Sequence, residues 1–201
     1  MGYDMKTRIQ PERIKEIDAR LFDGDYAAIP EAEREALWTE RSRIQDETLC
    51  YFGLNISGMR QYRNHMEALG MLEWSDEQHP PFKDYSAFGV PMVDVEYRGK
   101  TYQEPDRDSP EYKAHLEDQE RTLAWTGSDT TVINGHKLCD NSGWLVTPKE
   151  IAGALEVYRK LKEDNPELID EVVGEDNDDG YWDRWIAFLA TACEGGGFEV
   201  H

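Results

Sequence analysis

The sequence predicts an α+β fold, mostly helical, with five to seven helices around a small mixed or antiparallel sheet. One compact domain over residues 1–201 is expected, with an internal boundary near 75–89. Three observations lead there. Apolar residues recur at helical spacing through most of the chain, short alternating runs occur near both ends and after Gly89, and 201 residues that are 39% apolar and 11% aromatic can supply a core.

Residues 2–9 alternate weakly and read as an edge strand. Pro11 then opens a helix with Ile14, Ile17 and Leu21 on one side, which Asp23-Gly24-Asp25 ends. A second helix from Pro30 carries Leu37, Ile44 and Tyr51 seven apart and pairs with the first as an antiparallel hairpin. The third runs from Ile56 to Leu69 on Met59, Tyr62 and Met66, with Gly70 in the place of a C-terminal cap. Periodicity stops between Ser75 and Gly89, where Pro80 and Pro81 mark a long connection.

Val93, Val95 and Tyr97 alternate with Asp94 and Glu96, and Arg98-Gly99-Lys100 turns the chain into Thr101 and Tyr102, the pattern of a short hairpin with one wet face. Ser109-Pro110-Glu111 starts a helix that runs to near Trp125. Gly143-Trp144-Leu145-Val146 reads as a buried strand leading into Thr147-Pro148-Lys149-Glu150, a capping box with proline at the first helical position. That helix buries Ile151, Ala154, Leu155 and Tyr158, and a shorter one follows from Pro166 through Val173. The acidic run 175–179 is a solvated loop; Trp182, Trp185, Ile186 and Leu189 form the last helix, and Gly195-Gly196-Gly197 releases a final strand at Phe198-Glu199-Val200.

Composition excludes several function classes. The net charge of −20 argues against a nucleic-acid binder or a polybasic membrane anchor. No run approaches the length of a membrane span, and the first residues lack the apolar core of a signal peptide, so a cytoplasmic location is expected. Cys50, Cys139 and Cys193 are odd in number and far apart, which predicts reduced thiols rather than a disulfide framework or a zinc site. The five histidines lack metal-ligand spacing, Gly99-Lys100-Thr101 lacks the first glycine of a phosphate loop, and aligning Gly180 with a calcium-loop glycine puts Ile186 where the bidentate Glu belongs. No cofactor is expected.

Three segments carry a resemblance: Tyr51-Phe52-Gly53-Leu54-Asn55-Ile56-Ser57-Gly58-Met59, His136 through Pro148, and Trp185-Ile186-Ala187-Phe188-Leu189 with Gly196-Gly197-Phe198. In order and over most of the chain, these resemble a family of uncharacterised proteins encoded by actinobacteria and their phages. Where that family often reads Ser-Asn-Asp-Gly-Trp, this chain has Asp140-Asn141-Ser142-Gly143-Trp144, so the aspartate does not keep its place. The resemblance implies a shared fold and a phage or accessory-gene origin, and it supplies no mechanism.

The densest polar segment runs from His136 to Trp144. One reading makes it a pocket wall in which Lys137 holds an anionic ligand, Asp140 or His136 moves a proton and Trp144 stacks on a flat group, with Asn141, Ser142, Asn55, Arg60 and His201 as neighbours. The other makes it a tight turn, for which Asp, Asn, Ser and Gly are the usual residues, and this reading is favoured. Charge drifts along the chain: net −4 up to Trp74, −7 from there to Ser142, and −9 in the remainder. The expected function is therefore non-enzymatic, an acidic protein that modulates a host protein with a basic surface; the alternative is a small anionic ligand or an unrecognised enzyme at 136–144.

Overall fold

The computed structural model describes residues 2–23, 25–177 and 179–201, without the side chains of Glu175 and Asp176, so the acidic run 175–179 lies partly outside the described residues. Among these residues are seven α-helices: α1 (Glu12–Phe22), α2 (Glu31–Thr48), α3 (Ile56–Ala68), α4 (Pro110–Leu123), α5 (Pro148–Asp164), α6 (Pro166–Val173) and α7 (Tyr181–Glu194). The strands are β1 (Gly2–Thr7), β2 (Tyr51–Asn55), β3 (Leu72–Glu73), β4 (Met92–Tyr97), β5 (Lys100–Pro105), β6 (Ile133–Asn134), β7 (Trp144–Val146) and β8 (Phe198–Val200). The fold is thus α+β and mostly helical. No helix among the described residues is long and apolar enough to cross a membrane.

The chain divides into two compact units, one of Met1–Asp76 with Thr126–His201 and one of Glu77–Trp125. In the first, four strands form an antiparallel sheet in the order β2-β1-β8-β7. Met5, Phe52, Val146, Phe198 and Val200 of this sheet share one core with Met59 and Met66 of α3, Ile151 and Ala154 of α5, and Trp182, Trp185 and Phe188 of α7. Phe52 sits edge-on to Trp185 with ring centroids 5.2 Å apart. A second core joins Ile14, Ile17 and Leu21 of α1 to Ile44 of α2.

Two expectations about strands need correction. The first strand is interior, between β2 and β8, because the chain end returns to pair with it: Asp4 and His201 exchange both backbone hydrogen bonds, at 2.6 and 2.9 Å. Tyr51 does not continue the second helix. Leu49 adopts a left-handed conformation with φ of 49°, which stops α2, and Tyr51 opens β2, whose register against β1 places Phe52 in the core. The hairpin after Gly89 forms as expected but is a separate two-stranded sheet.

The helix boundaries follow local chemistry. Ser109 caps α4 through its hydroxyl, 3.1 Å from the Tyr112 amide, and Asn55 caps α3 through the Gly58 amide at 2.7 Å. The capping box at Thr147 and Glu150 is complete. Gly153 lets α5 approach the preceding segment closely, since a β-carbon there would lie 2.0 Å from the Thr131 carbonyl oxygen.

Candidate functional site

The segment 134–150 is organised around a buried ion pair. Asn134 ends β6, which pairs in parallel with β3. Its side chain accepts from the His136 amide at 3.1 Å and donates to the Thr126 carbonyl at 3.0 Å, winding the chain into one tight turn over Gly135–Leu138. That turn drives Lys137 inward, where the side chain is 0% exposed. Its ammonium donates to Glu150 Oε2 at 2.8 Å and to the Leu145 carbonyl at 2.6 Å. Glu150 Oε2 also accepts from the Thr147 amide at 2.8 Å and hydroxyl at 2.7 Å, while Oε1 accepts from the Asn134 amide at 3.3 Å.

Burial pushes the Lys137 amine below its ordinary range, and Glu150 pulls it back toward the charged form. With its ammonium bonded on two sides and shut from solvent, Lys137 ties β7 to the start of α5 rather than standing at a pocket wall. The residues after it close a turn. Asp140 Oδ1 accepts from the Ser142 amide at 2.9 Å and from Trp144 Nε1 at 3.1 Å, and Gly143 takes φ of 85°. Trp144 is buried, so its indole packs in the sheet rather than offering a face to a ligand.

The other candidates scatter around this turn. Asn141 Nδ2 donates to the Gly2 carbonyl at 2.6 Å, and Gly2 pairs in register with Asn55, so Asn55 and Asn141 flank the same end of β1. An open depression of about 250 Å³ lies there, lined by Gly2, Tyr3, Ile56, Cys139, Asp140 and Asn141. His136 turns away from Asp140: its ring meets Trp74 edge-on at 5.3 Å and Nε2 lies 3.2 Å from the Ser75 carbonyl. Arg60 is exposed on α3, and exposed His201 places Nε2 3.2 Å from Glu199. The turn therefore brings Asp140, Ser142 and Trp144 together; the His136 ring is directed to Trp74 and Ser75, and His201 follows Val200, the register partner of Trp144, with its imidazole against Glu199.

Sequence reasoning missed Arg63 and Cys139 as partners. Arg63 Nη1 lies 2.9 Å from Cys139 Sγ and 3.3 Å from the Leu138 carbonyl, and Tyr3 donates its hydroxyl to the Cys139 carbonyl at 2.8 Å. Burial raises the Cys139 thiol more than Arg63 lowers it, so the arginine does not produce a reactive thiolate. Arg63 lies four residues after the buried Met59 on α3, a spacing that places the two on one helix face.

A larger cleft of about 320 Å³ lies away from this segment, between α2, β2 and α7. Its wall carries the Arg184–Asp46 ion pair and Tyr51, whose hydroxyl donates to Asp4 and whose phenol is pushed up to about 12, mainly by burial. Among the described residues no three His, Cys, Asp or Glu side chains converge on a point that could hold a metal ion. Comparison with protein-family models, curated proteins and solved structures finds no match for this chain.

Proposed function

We propose that this chain is a non-enzymatic acidic protein of phage or accessory-gene origin, which engages and modulates a host protein with a basic surface in the cytoplasm. The observation that carries the reading is where unpaired carboxylates gather. At the corner between α5 and α6, Asp164, Glu167, Asp170 and Glu171 are exposed, and among the described residues none of them has a basic partner. Helix α6 contains no Lys, Arg or His. Asp164 sits in the last turn of α5, where the helix dipole disfavours negative charge, so it does not earn its place through helix stability.

Beside this corner is a depression of about 230 Å³ where Ile169 and Val173 lie next to Asp170 and Asp183, with Lys162 also in its wall. A Lys or Arg side chain entering there can pack its methylene stem on Ile169 and Val173 and set its charged head against Asp170 and Asp183, beside the resident Lys162. The same charge repels phosphate, which disfavours direct nucleic-acid binding. The commitment of Lys137, Asp140 and Asn141 to internal hydrogen bonds supports a scaffold role for the 136–144 segment.

Capture of partners from a host extract, repeated at low and high salt, tests this. The expected result is a partner held at low ionic strength, released as salt rises, and lost in Asp164→Asn/Glu167→Gln/Asp170→Asn/Glu171→Gln. Capture indifferent to both salt and these substitutions overturns the reading, as does turnover of a small compound that disappears on replacing His136 or Asp140.

A further inference from the structure

We propose that the hairpin β4–β5 is a self-association element: strand β5 pairs antiparallel with β5 of a second copy of this chain, centred on Tyr102. The inference is independent of the acidic corner and starts from how little the hairpin buries. Its ten residues from Met92 to Tyr97 and from Lys100 to Gln103 are all exposed except Val95, and among the described residues no third strand joins it. A two-stranded ribbon is marginal in water, and three or more strands are needed for independent stability. One face of it carries Val93, Val95, Tyr97 and Tyr102 together with Lys100 and Glu104, and Tyr97 is 59% and Tyr102 47% exposed.

The hydrogen-bond phase identifies the free edge. Arg98 and Gly99 both have positive φ, 53° and 72°, forming the two-residue turn that makes Tyr97 and Lys100 a hydrogen-bonded pair. Alternation then gives Tyr102 and Glu104 inward bonds to β4 and leaves the amides and carbonyls of Thr101 and Gln103 pointing outward. A twofold axis at Tyr102 matches these groups to themselves: Thr101 bonds Gln103 of the other copy, and Tyr102 faces its own equivalent in a close, non-hydrogen-bonded pair.

Charge selects the register and the edge. With Tyr102 at the centre, Lys100 opposes Glu104 of the other copy twice over, and both pairs are opposite in sign. Centring on Thr101 moves Lys100 opposite Tyr102 and leaves Glu104 only Arg98 of the turn, and centring on Gln103 sets the outward Thr101 against Pro105, which has no amide to donate. The edge of β4 is unsuitable, because pairing about Val95 sets Asp94 against Glu96 of the other copy, like against like. The product is a four-stranded sheet, β4-β5-β5-β4, in which the two faces bearing Val95 and Tyr102 are continuous and flanked by the Lys100–Glu104 pairs.

Sedimentation analysis of the intact chain tests this by charge exchange. The wild type is expected to show a concentration-dependent dimer. Lys100→Glu and Glu104→Lys should each weaken it by roughly tenfold or more, because both cross-strand pairs become repulsive. The double variant Lys100→Glu/Glu104→Lys should restore it, and mixing the two single variants should give a heterodimer. In a Cys139→Ser background, Tyr102→Cys should form a symmetric disulfide under oxidation and Thr101→Cys should not. A wild type that stays monomeric to roughly 1 mM, or a dimer that ignores the charge exchange and the position of the cysteine, overturns the proposal.

Discussion

The hairpin of α1 and α2 and the corner of α5 and α6 are both rich in carboxylates, yet they treat them oppositely. In the hairpin, Arg13 grips Glu40 at 2.8 Å, Arg20 reaches Glu33 at 3.0 Å, and Arg41 reaches Asp18 at 2.6 Å, so the pairs staple antiparallel helices together. At the corner, Asp164, Glu167, Asp170 and Glu171 have no such partner among the described residues. Total charge does not distinguish the two regions. What differs is that cations from the facing helix reach Asp18, Glu33 and Glu40, although exposed Glu31 and Glu35 have no ion pair among the described residues, whereas none of the four acids at the corner is reached.

The sharpest extension of the comparison is the paired carboxylate that is also buried. Glu150→Ala leaves the Lys137 ammonium and the Thr147 and Asn134 amides without their acceptor, and is expected to lower unfolding free energy by about 3–5 kcal/mol in urea titration. A loss below about 1 kcal/mol would mean that water reaches this pair and that burial does not set it apart from the surface ones.

Arg41→Ala comes next. Arg41 is only 11% exposed, and it lies over the rings of Trp38 and Phe22 as well as against Asp18. The expected cost is about 1–2 kcal/mol, shared between lost packing and the ion pair. At the corner the sign reverses: Asp164→Asn should raise stability by about 0.3–1 kcal/mol by relieving the helix dipole. If it destabilises instead, the carboxylate has an internal role and the contrast fails.

Titration gives the smallest effects. Arg13 holds the Glu40 carboxyl below its ordinary range, and Arg159 with Lys160 holds Glu156 down at about 2. Their contribution is present above the unfolded carboxyl value and is lost as pH falls through the folded one, so NMR titration should find both still ionised where exposed free carboxylates are half protonated. At the alkaline end Tyr51 runs the other way. With its phenol raised to about 12, its contribution is complete below about 10 and disappears as pH climbs through 12. Absorbance titration should show late phenolates from Tyr51 and from Tyr158, whose phenol burial also raises, with the Tyr51 component lost in Tyr51→Phe.

Most helices were legible in the sequence because their signals are local. Thr147, Pro148 and Glu150 lie within one turn, and Ser109 with Pro110 marks α4 just as directly. Strand β2 was not legible. Tyr51 fits a heptad with Leu37 and Ile44, and what overrides it is the left-handed Leu49 and pairing to a strand 45 residues or more upstream. The 136–144 segment was half legible: its turn chemistry is written in Asp140, Asn141 and Gly143, while the inward path of Lys137 depends on Glu150 meeting it from another element.

The amino-acid order by itself determined the helix starts, the short hairpin after Gly89 and the excess of negative charge, all properties of neighbours within a few residues or of simple counting. Only the tertiary structure decided which acids are neutralised, that Lys137 is buried, and that β1 lies inside the sheet. Each of these turns on groups distant in sequence meeting at hydrogen-bond range, where an interaction falls off within a few ångströms and no local pattern encodes the partner.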